Sequence, residues 1–144
     1  MQALAGHARI GIDSNVLIYL LETQGRLADV AASIVDAIGA GTVEAVLATV
    51  GVMEILAGPA RAGDALIFEH TADVLRDLPI RIVGLDQALA EDAAWIRGSL
   101  GIGLEDAIHL ATARKAAATA FVTNDRRIRS IPRVDVVYLD DLVA

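Results

Sequence analysis

Four acidic residues in this chain stand at positions from which carboxylates could share a metal ion. Asp13 directly follows a short β-prone run, and Asp125 follows a second such run late in the chain. Glu54 lies about one and a half turns into a segment with helical character, and Asp106 lies in the first turn of another. Intervals of 41, 52 and 19 residues separate the four, so they can meet only in the folded chain.

A cluster of unpaired carboxylates is costly unless a cation accompanies it. Carboxylates at close range repel one another and raise one another's pKa, and a bound cation removes that repulsion. Hard oxygen ligands favour Mg²⁺ or Mn²⁺ over zinc. The chain has no cysteine, which excludes disulfides, zinc ribbons, thiol nucleophiles and iron–sulfur clusters and is consistent with a cytoplasmic location. We therefore expect a Mg²⁺ or Mn²⁺ site if the four acids converge.

The elements that must position these acids alternate between strand and helix. Such alternation predicts a single three-layer α/β/α domain over residues 1–144, with a central, mostly parallel sheet whose carboxyl ends bind ligands. Gly58-Pro59 is expected to stop the third helix. The fourth helix is expected to be amphipathic, with one face formed by Leu66, Ile67, His70, Val74 and Leu78. The expected strands are Arg9–Ile12, Val43–Thr49, Ile80–Leu85, Thr119–Thr123 and Val134–Leu139, and the expected helices are Val16–Leu21, Leu27–Ile38, Val52–Ala57, Ala65–Leu78, Gln87–Leu100 and Leu104–Ala117.

Composition narrows the classes of function. The chain has 144 residues and a formal net charge of −7, which disfavours extended binding of nucleic acid by bulk electrostatics. Its apolar runs are cut by charged residues, so no membrane association is expected, and the amino-terminal segment is too short and polar for a signal peptide. The basic cluster after Asp125 contains Arg126, Arg127, Arg129 and Arg133. It is either a solvated turn paired to nearby acids or a grip for phosphates.

Four segments of the chain, taken in order, resemble the signature segments of the PIN-domain ribonucleases. They are IGIDSNVLIYLLE, VGVMEILAG, LEDAIHLATA and FVTNDRRI. The resemblance extends from Arg9 to Leu142 and is strongest to the small toxins of virulence-associated toxin–antitoxin pairs. It implies catalytic and metal-binding roles for Asp13, Glu54, Asp106 and Asp125, and supporting roles for Asn15, Thr123 and Asn124. Glu105 departs from the pattern, because many relatives carry a proline or a small residue there.

The resemblance also implies an activity and partners. It implies a metal-dependent endoribonuclease with Mg²⁺ or Mn²⁺ as cofactor, because divalent ions lower the pKa of bound water and stabilise charge on a phosphodiester. The expected substrate is RNA, with loops of transfer or ribosomal RNA as the family's usual targets. The expected protein partners are a cognate antitoxin and a second copy of the chain. Arg126, Arg127 and Arg129 are then candidates for contacts to RNA phosphates.

Other interpretations stay open or are disfavoured. A PIN-like module that binds RNA or protein without significant cleavage is the main alternative. A signalling receiver needs a lysine after a late strand, but the sole lysine, Lys115, lies on an expected helix. The pattern Asp-x-Asp of haloacid dehalogenase hydrolases is absent, since Asn15 stands at the second acidic position.

Several single residues have an ordinary structural explanation. His109 is expected to be a packed, hydrogen-bonded histidine and not a catalytic base. His70 and Trp95 are expected in the core or at an interface. The glycine-rich segment 98–103 follows a helix and lacks a phosphate-binding lysine, so a loop is expected there.

Overall fold

The computed structural model describes residues 4–22 and 24–142. The prediction of a single domain over 1–144 includes residues outside this range and stays a prediction. The strands are β1 (Arg9–Ile12), β2 (Glu44–Ala48), β3 (Arg81–Val83), β4 (Ala120–Thr123) and β5 (Asp135–Tyr138). The helices are α1 (Ser14–Glu22), α2 (Arg26–Gly39), α3 (Thr49–Arg61), α4 (Ala65–Asp77), α5 (Gln87–Leu100) and α6 (Leu104–Lys115), and a 3₁₀ helix spans Leu139–Leu142.

The five strands form one sheet in the order β3-β2-β1-β4-β5, and every neighbouring pair is parallel. This confirms the predicted α/β class with its parallel sheet. The strand order reverses between β1 and β4, and ligands bind at such points in open α/β sheets. Ile12 is paired with Val122. The residues that follow them, Asp13 and Thr123, therefore lie side by side at the carboxyl edge of the sheet.

Apolar side chains cover the sheet on both faces. One core cluster includes Ile10, Leu17 and Ile34 with α1 and α2, and the other includes Leu110 and Phe121 with α5 and α6. Burial of this surface is the main stabilising contribution to the three-layer arrangement. Within the described residues, no helix has the length and apolar character needed to cross a bilayer.

Helix α6 lies very close to the central strand. A Cβ on Gly11 would lie 2.7 Å from Ala113 Cβ and 2.9 Å from Phe121 Cδ1, so only glycine fits at this point of β1. Residues 107–113 of α6 are all buried, and three of them are alanines. Small side chains on both elements let the backbones approach, and this fixes where the amino-terminal end of α6 meets the sheet edge.

The predicted end of the third helix is wrong. Helix α3 continues through Pro59 to Arg61, and the turn after it is made by Gly63, which has φ 68°. A proline disfavours helical backbone at the residue before it by a clash with that residue's Cβ. Gly58 has no Cβ, so this part of the clash is absent and helical backbone before the proline costs less.

The predicted apolar face of the fourth helix is wrong in part: Val74 and Leu78 are half-buried, but the other three residues are exposed. Leu66 and Ile67 are 81% and 51% exposed, and His70 is exposed. Helix α4 buries Thr71 and Leu75 instead, a stripe with equally regular helical spacing. Trp95 is 77% exposed, so it lies outside the core as well.

Candidate metal centre

Asp13 is the most deeply placed of the predicted acids. Its side chain follows β1 and is 4% exposed. Oδ1 accepts the Ser14 amide at 2.8 Å, and Oδ2 accepts the Thr123 hydroxyl at 2.7 Å. Burial raises the pKa of Asp13, while the nearby His109 and the Thr123 hydroxyl act in the opposite direction. The site therefore holds a carboxylate that gains from a cation beside it.

Thr123 connects two of the acids. It is completely buried, and its Oγ1 both donates to Asp13 and accepts the Asp125 amide at 3.1 Å. Asn15 Nδ2 makes longer contacts, 3.3 Å to Asp13 Oδ2 and 3.4 Å to Thr123 Oγ1. Within residues 4–22 and 24–142, Asn15 Oδ1 is buried without a hydrogen-bond partner, so it is an acceptor available to a bound water or ion.

Glu54 on α3 contacts His109 on α6 directly. His109 Nε2 lies 2.7 Å from Glu54 Oε1 and 3.5 Å from Asp13 Oδ1. The helices come close because α3 carries Gly51, where a Cβ would lie 3.0 Å from His109 Cε1. Burial lowers the pKa of His109, but the hydrogen bond to Glu54 and the negative charges of Asp13 and Glu54 raise it overall. Ligand atoms of Asp13, Glu54 and His109 all lie within 4.8 Å of one another.

Asp106 lies half-buried beside two other acids of the cluster. Partial burial, together with the negative charges of Asp13 and Asp125, raises the pKa of Asp106 to about 6. The positive charges of His109 and Arg127 compensate only in part. Asp106 lies in the first turn of α6, where the helix dipole favours an anion, yet burial, with the two neighbouring carboxylates, outweighs that effect.

Asp125 is paired in a different way. Arg127 donates from Nε to Oδ1 at 3.0 Å and from NH2 to Oδ2 at 2.8 Å. This bidentate pair, which the Arg127 amide reinforces, holds the pKa of Asp125 below its usual value. The Asp125 side chain is 22% exposed and that of Arg127 is 82% exposed. The acid is thus ionised, and its partner is free to move into solvent.

Two other arginines of the basic cluster, Arg126 and Arg129, have their own partners, whereas Arg133 does not line the cavity that contains the acids. Arg126 pairs with Asp141 at 3.0 Å and lies 4.2 Å from the centre of the Tyr138 ring. Arg129 donates to the Leu100 carbonyl at 2.9 Å. Arg126, Arg127 and Arg129 are exposed and line the cavity described next. The two interpretations of the cluster are therefore compatible: the arginines are paired, and they also face the acids.

One open cavity of about 730 Å³ brings the four predicted acids together. Asn15 and Glu105 also line it, and Thr123 lies behind it as a partner of Asp13. Asn124 points elsewhere, since its Oδ1 accepts the Asp140 amide at 3.2 Å. The lining residues are Asp13, Ser14, Asn15, Glu54, Leu100, Gly101, Ile102, Gly103, Glu105, Asp106, Asp125, Arg126, Arg127 and Arg129.

His109 was expected to be packed and hydrogen-bonded, and it is, with 2% exposure. Its partner was not expected, since the bond goes to an acid of the cluster. A signal was present: His109 follows Asp106 by three residues in one helix, which places both on one side of that helix.

The donor set as a whole, five carboxylates around a cavity with an available amide oxygen, fits a hard divalent cation.

Comparison with known proteins agrees with this geometry. The family model described as PIN domain matches residues 10–134. A search of curated proteins found no significant match.

Solved structures provide several similar folds. A toxin–antitoxin complex from Klebsiella pneumoniae contains a chain 25% identical to this one, with a TM-score of 0.67, covering 87% of this chain and 94% of that one. VapBC2 from Rickettsia felis, bound to a promoter DNA fragment, has 15% identity and a TM-score of 0.73, with 90% and 98% covered. VapC20 from Mycobacterium tuberculosis, a toxin that cleaves the sarcin-ricin loop, has 16% identity and a TM-score of 0.61, with 78% and 86% covered.

Proposed function

The chain belongs to the PIN domain family, and on this premise we propose that it is a divalent-metal-dependent endoribonuclease, the toxin of a toxin–antitoxin pair. The observation that carries the proposal is the convergence of Asp13, Glu54, Asp106 and Asp125 on one cavity. These acids come from four separate elements and meet where the strand order of the sheet reverses. The four carboxylates repel one another, and a cation bound between them would remove that repulsion.

The four acids together form the proposed set of metal ligands. Asp13 and Glu54 have oxygens within 4.8 Å of each other, and they would hold a Mg²⁺ or Mn²⁺ ion together with Asp106 and Asp125. A divalent ion bound there supplies a water of lowered pKa and stabilises negative charge on the phosphate. Thr123 keeps Asp13 oriented through its hydroxyl, and Asn15 offers its free amide oxygen to a water in the cavity.

RNA is the proposed substrate, with loops of transfer or ribosomal RNA as its class. The net charge of −7 opposes approach of a polyanion, but Arg126, Arg127 and Arg129 form a positive rim on the acidic cavity. Guanidinium groups bind phosphate oxygens in a bidentate fashion. The rim therefore orients a phosphodiester toward the carboxylates without making the whole surface basic.

A cognate antitoxin and a second copy of the chain are the proposed protein partners, in the cytoplasm. The likeness to the chain in the Klebsiella toxin–antitoxin complex supports the first. Exposed apolar side chains on α4 and α5, among them Leu66, Ile67 and Trp95, are candidates for the protein contacts. Sedimentation of the purified chain distinguishes a homodimer from a monomer.

The experiment that tests the activity is cleavage of labelled total RNA by purified protein with Mg²⁺ or Mn²⁺. We expect cleavage that EDTA abolishes and that Asp13→Asn removes while the circular dichroism spectrum is unchanged. Asp92→Asn is the matched control, because Asp92 is an exposed acid of α5 outside the cavity. Products ending in 5′-phosphate and 3′-hydroxyl are expected from the family resemblance.

Two outcomes contradict the proposal. A folded Asp13→Asn protein that cleaves as fast as the wild type assigns the activity to a contaminant or another site. A wild-type protein that neither cleaves RNA nor binds either metal favours the alternative of a PIN-like binding module.

A further inference from the structure

His109 is a buried side chain bonded to an acid of the metal centre, and the proposed function gives it no task. It is 2% exposed and lies on α6 between Gly51 of α3 and the Phe121 ring, whose centre is 5.9 Å from its own. Such packing restricts the imidazole to one orientation. The ring therefore presents Nε2 to the acids at a fixed place.

The distances identify which acid forms a hydrogen bond with His109. Nε2 lies 2.7 Å from Glu54 Oε1, a short hydrogen bond, and 3.5 Å from Asp13 Oδ1, which is too long for a good one. An ionised carboxylate only accepts hydrogen bonds. With the Glu54 carboxylate as the acceptor, Nε2 carries the proton and donates it, so in this arrangement His109 is a donor to a ligand and not itself a ligand.

Glu54 needs such a partner more than Asp13 does. Asp13 is buried and already accepts the Ser14 amide and the Thr123 hydroxyl. The Glu54 side chain is 33% exposed and longer, and among the described residues His109 is its one hydrogen-bond partner. Without that bond, a bound cation has to restrict a mobile glutamate, which costs conformational entropy.

We propose that His109 is a positioning residue, which holds the Glu54 carboxylate close to that of Asp13, where both would serve as ligands of one metal ion. The inference rests on the proposed function, since it takes Glu54 as a metal ligand. Partners of this kind, one step behind the ligands, typically change metal affinity by about 10–100-fold when removed.

Calorimetric titration of the metal-free protein with Mn²⁺ tests this without any RNA. We expect His109→Leu to bind Mn²⁺ about 10–100-fold more weakly than the wild type. His109→Gln, whose amide nitrogen lies near the position of Nε2, is expected to restore most of the affinity. Thr112→Val is the matched control, because Thr112 is a buried residue one turn further along α6 that bonds only to the Ile108 carbonyl in the described structure.

A double-variant cycle separates positioning from general disruption. If His109 acts through Glu54, then His109→Leu has little further effect in a Glu54→Gln background. Equal losses in both backgrounds, or wild-type affinity in His109→Leu, overturn the inference. Failure of His109→Gln to restore binding, with a loss of preference for Mn²⁺ over Mg²⁺, identifies His109 as a direct nitrogen ligand instead.

A second measurement does not depend on the metal. Long-range ¹H–¹⁵N correlation spectra of the metal-free wild type report which ring nitrogen of His109 carries a proton. We expect a protonated Nε2, and a bare Nε2 with a protonated Nδ1 contradicts the inference. A protonated Nε2 in a protein that binds no Mn²⁺ would retain the Glu54 contact, but would refute the metal centre and with it the positioning role.

Discussion

Asp106 carries a carboxylate whose ionisation is opposed by burial and by two neighbouring acids. Its pKa is raised to about 6, whereas Asp125, in the same cavity, has its pKa lowered by Arg127. The difference arises from partners and not from residue type. Because a carboxylate must lose its proton to bind a metal, Asp106 would make the proposed metal centre sensitive to pH around 6.

The first prediction is that Mn²⁺ affinity increases between about pH 5 and about pH 7. Below the raised pKa of Asp106, a proton competes with the metal, and one such proton lowers the apparent affinity by up to about tenfold per pH unit. Titrations in buffers of different ionisation enthalpy measure the proton released. Asp106→Asn should bind less well at neutral pH but with a shallower pH dependence. An unchanged slope in that variant would show that another group is responsible.

Arg127 leads to a second prediction at the same scale. Its side chain is 82% exposed, and exposed ion pairs contribute about 0–1 kcal/mol to stability. Arg127→Ala should therefore leave the free energy of unfolding almost unchanged. If Arg127 leaves Asp125 to bind an RNA phosphate, the variant should raise KM for RNA and reduce the salt dependence of binding by about one counterion.

The control for Arg127 is an arginine on another edge of the sheet. Arg81 is exposed on β3 and lies outside the acidic cavity, so Arg81→Ala changes the net charge equally. If both variants weaken RNA binding alike, the effect is one of overall charge and the specific role of Arg127 is wrong.

At the level of elements, the position of the centre depends on how closely α3 and α6 approach β2 and β1. Gly51 makes the approach of α3 possible. A Cβ there would lie 2.6 Å from Leu47 Cδ1 and 3.0 Å from His109 Cε1. The same residue thus controls packing against β2 and the contact that reaches Glu54.

The third prediction is that Gly51→Ala destabilises the protein by about 1–3 kcal/mol, the usual cost of overpacking a close-packed core. Chemical denaturation measures it. Gly98→Ala is the matched substitution, because Gly98 lies within α5 and a methyl group added there would meet no atom within 4 Å. It should stabilise by up to about 1 kcal/mol through helix propensity. Equal effects of both substitutions would mean that the contact at Gly51 is not limiting.

The elements also show what the sequence could predict. The parallel sheet could be predicted from apolar runs that alternate with helical segments. Asp13 and Asp125 could be placed because each comes just after a predicted strand in the sequence. The end of α3 was missed because a proline normally stops a helix, and the tolerance depends on Gly58 just before it. The buried face of α4 was missed because Leu66 and Leu75 belong to two stripes with the same period, and only tertiary packing chooses between them.

Contacts between distant segments were beyond any local pattern. Glu54 and His109 are 55 residues apart, and nothing in either segment specifies that they bond. Four acids on one cavity could be anticipated because two follow strands, Asp106 opens a helix, and Glu54 lies in the helix that leaves β2. The pairing of Arg127 with Asp125 is local, two residues apart, yet sequence alone left it undecided between solvent, acid and phosphate.

For the whole molecule, the net charge of −7 and the acidic cavity both lower the stability of the folded protein. Both disfavour the folded, metal-free state through repulsion, and both are relieved by cations, but in different ways. Diffuse screening depends on ionic strength and acts over the entire surface. A bound ion acts at the cavity alone and requires its ligands. The two effects are separable by a single substitution inside the centre.

The fourth prediction is that saturating Mn²⁺ raises the melting temperature of the wild type by about 5–10 °C. Binding at about 100 times Kd adds about 2.7 kcal/mol, and each kcal/mol corresponds to roughly 2–4 °C for a chain of this size. Sodium chloride at equal ionic strength should give a much smaller shift. Asp13→Asn, which removes a buried ligand and one negative charge, should lose the Mn²⁺ shift and keep the salt shift. If Mn²⁺ stabilises both proteins equally, its effect is screening, because a site that depends on Asp13 has to distinguish them.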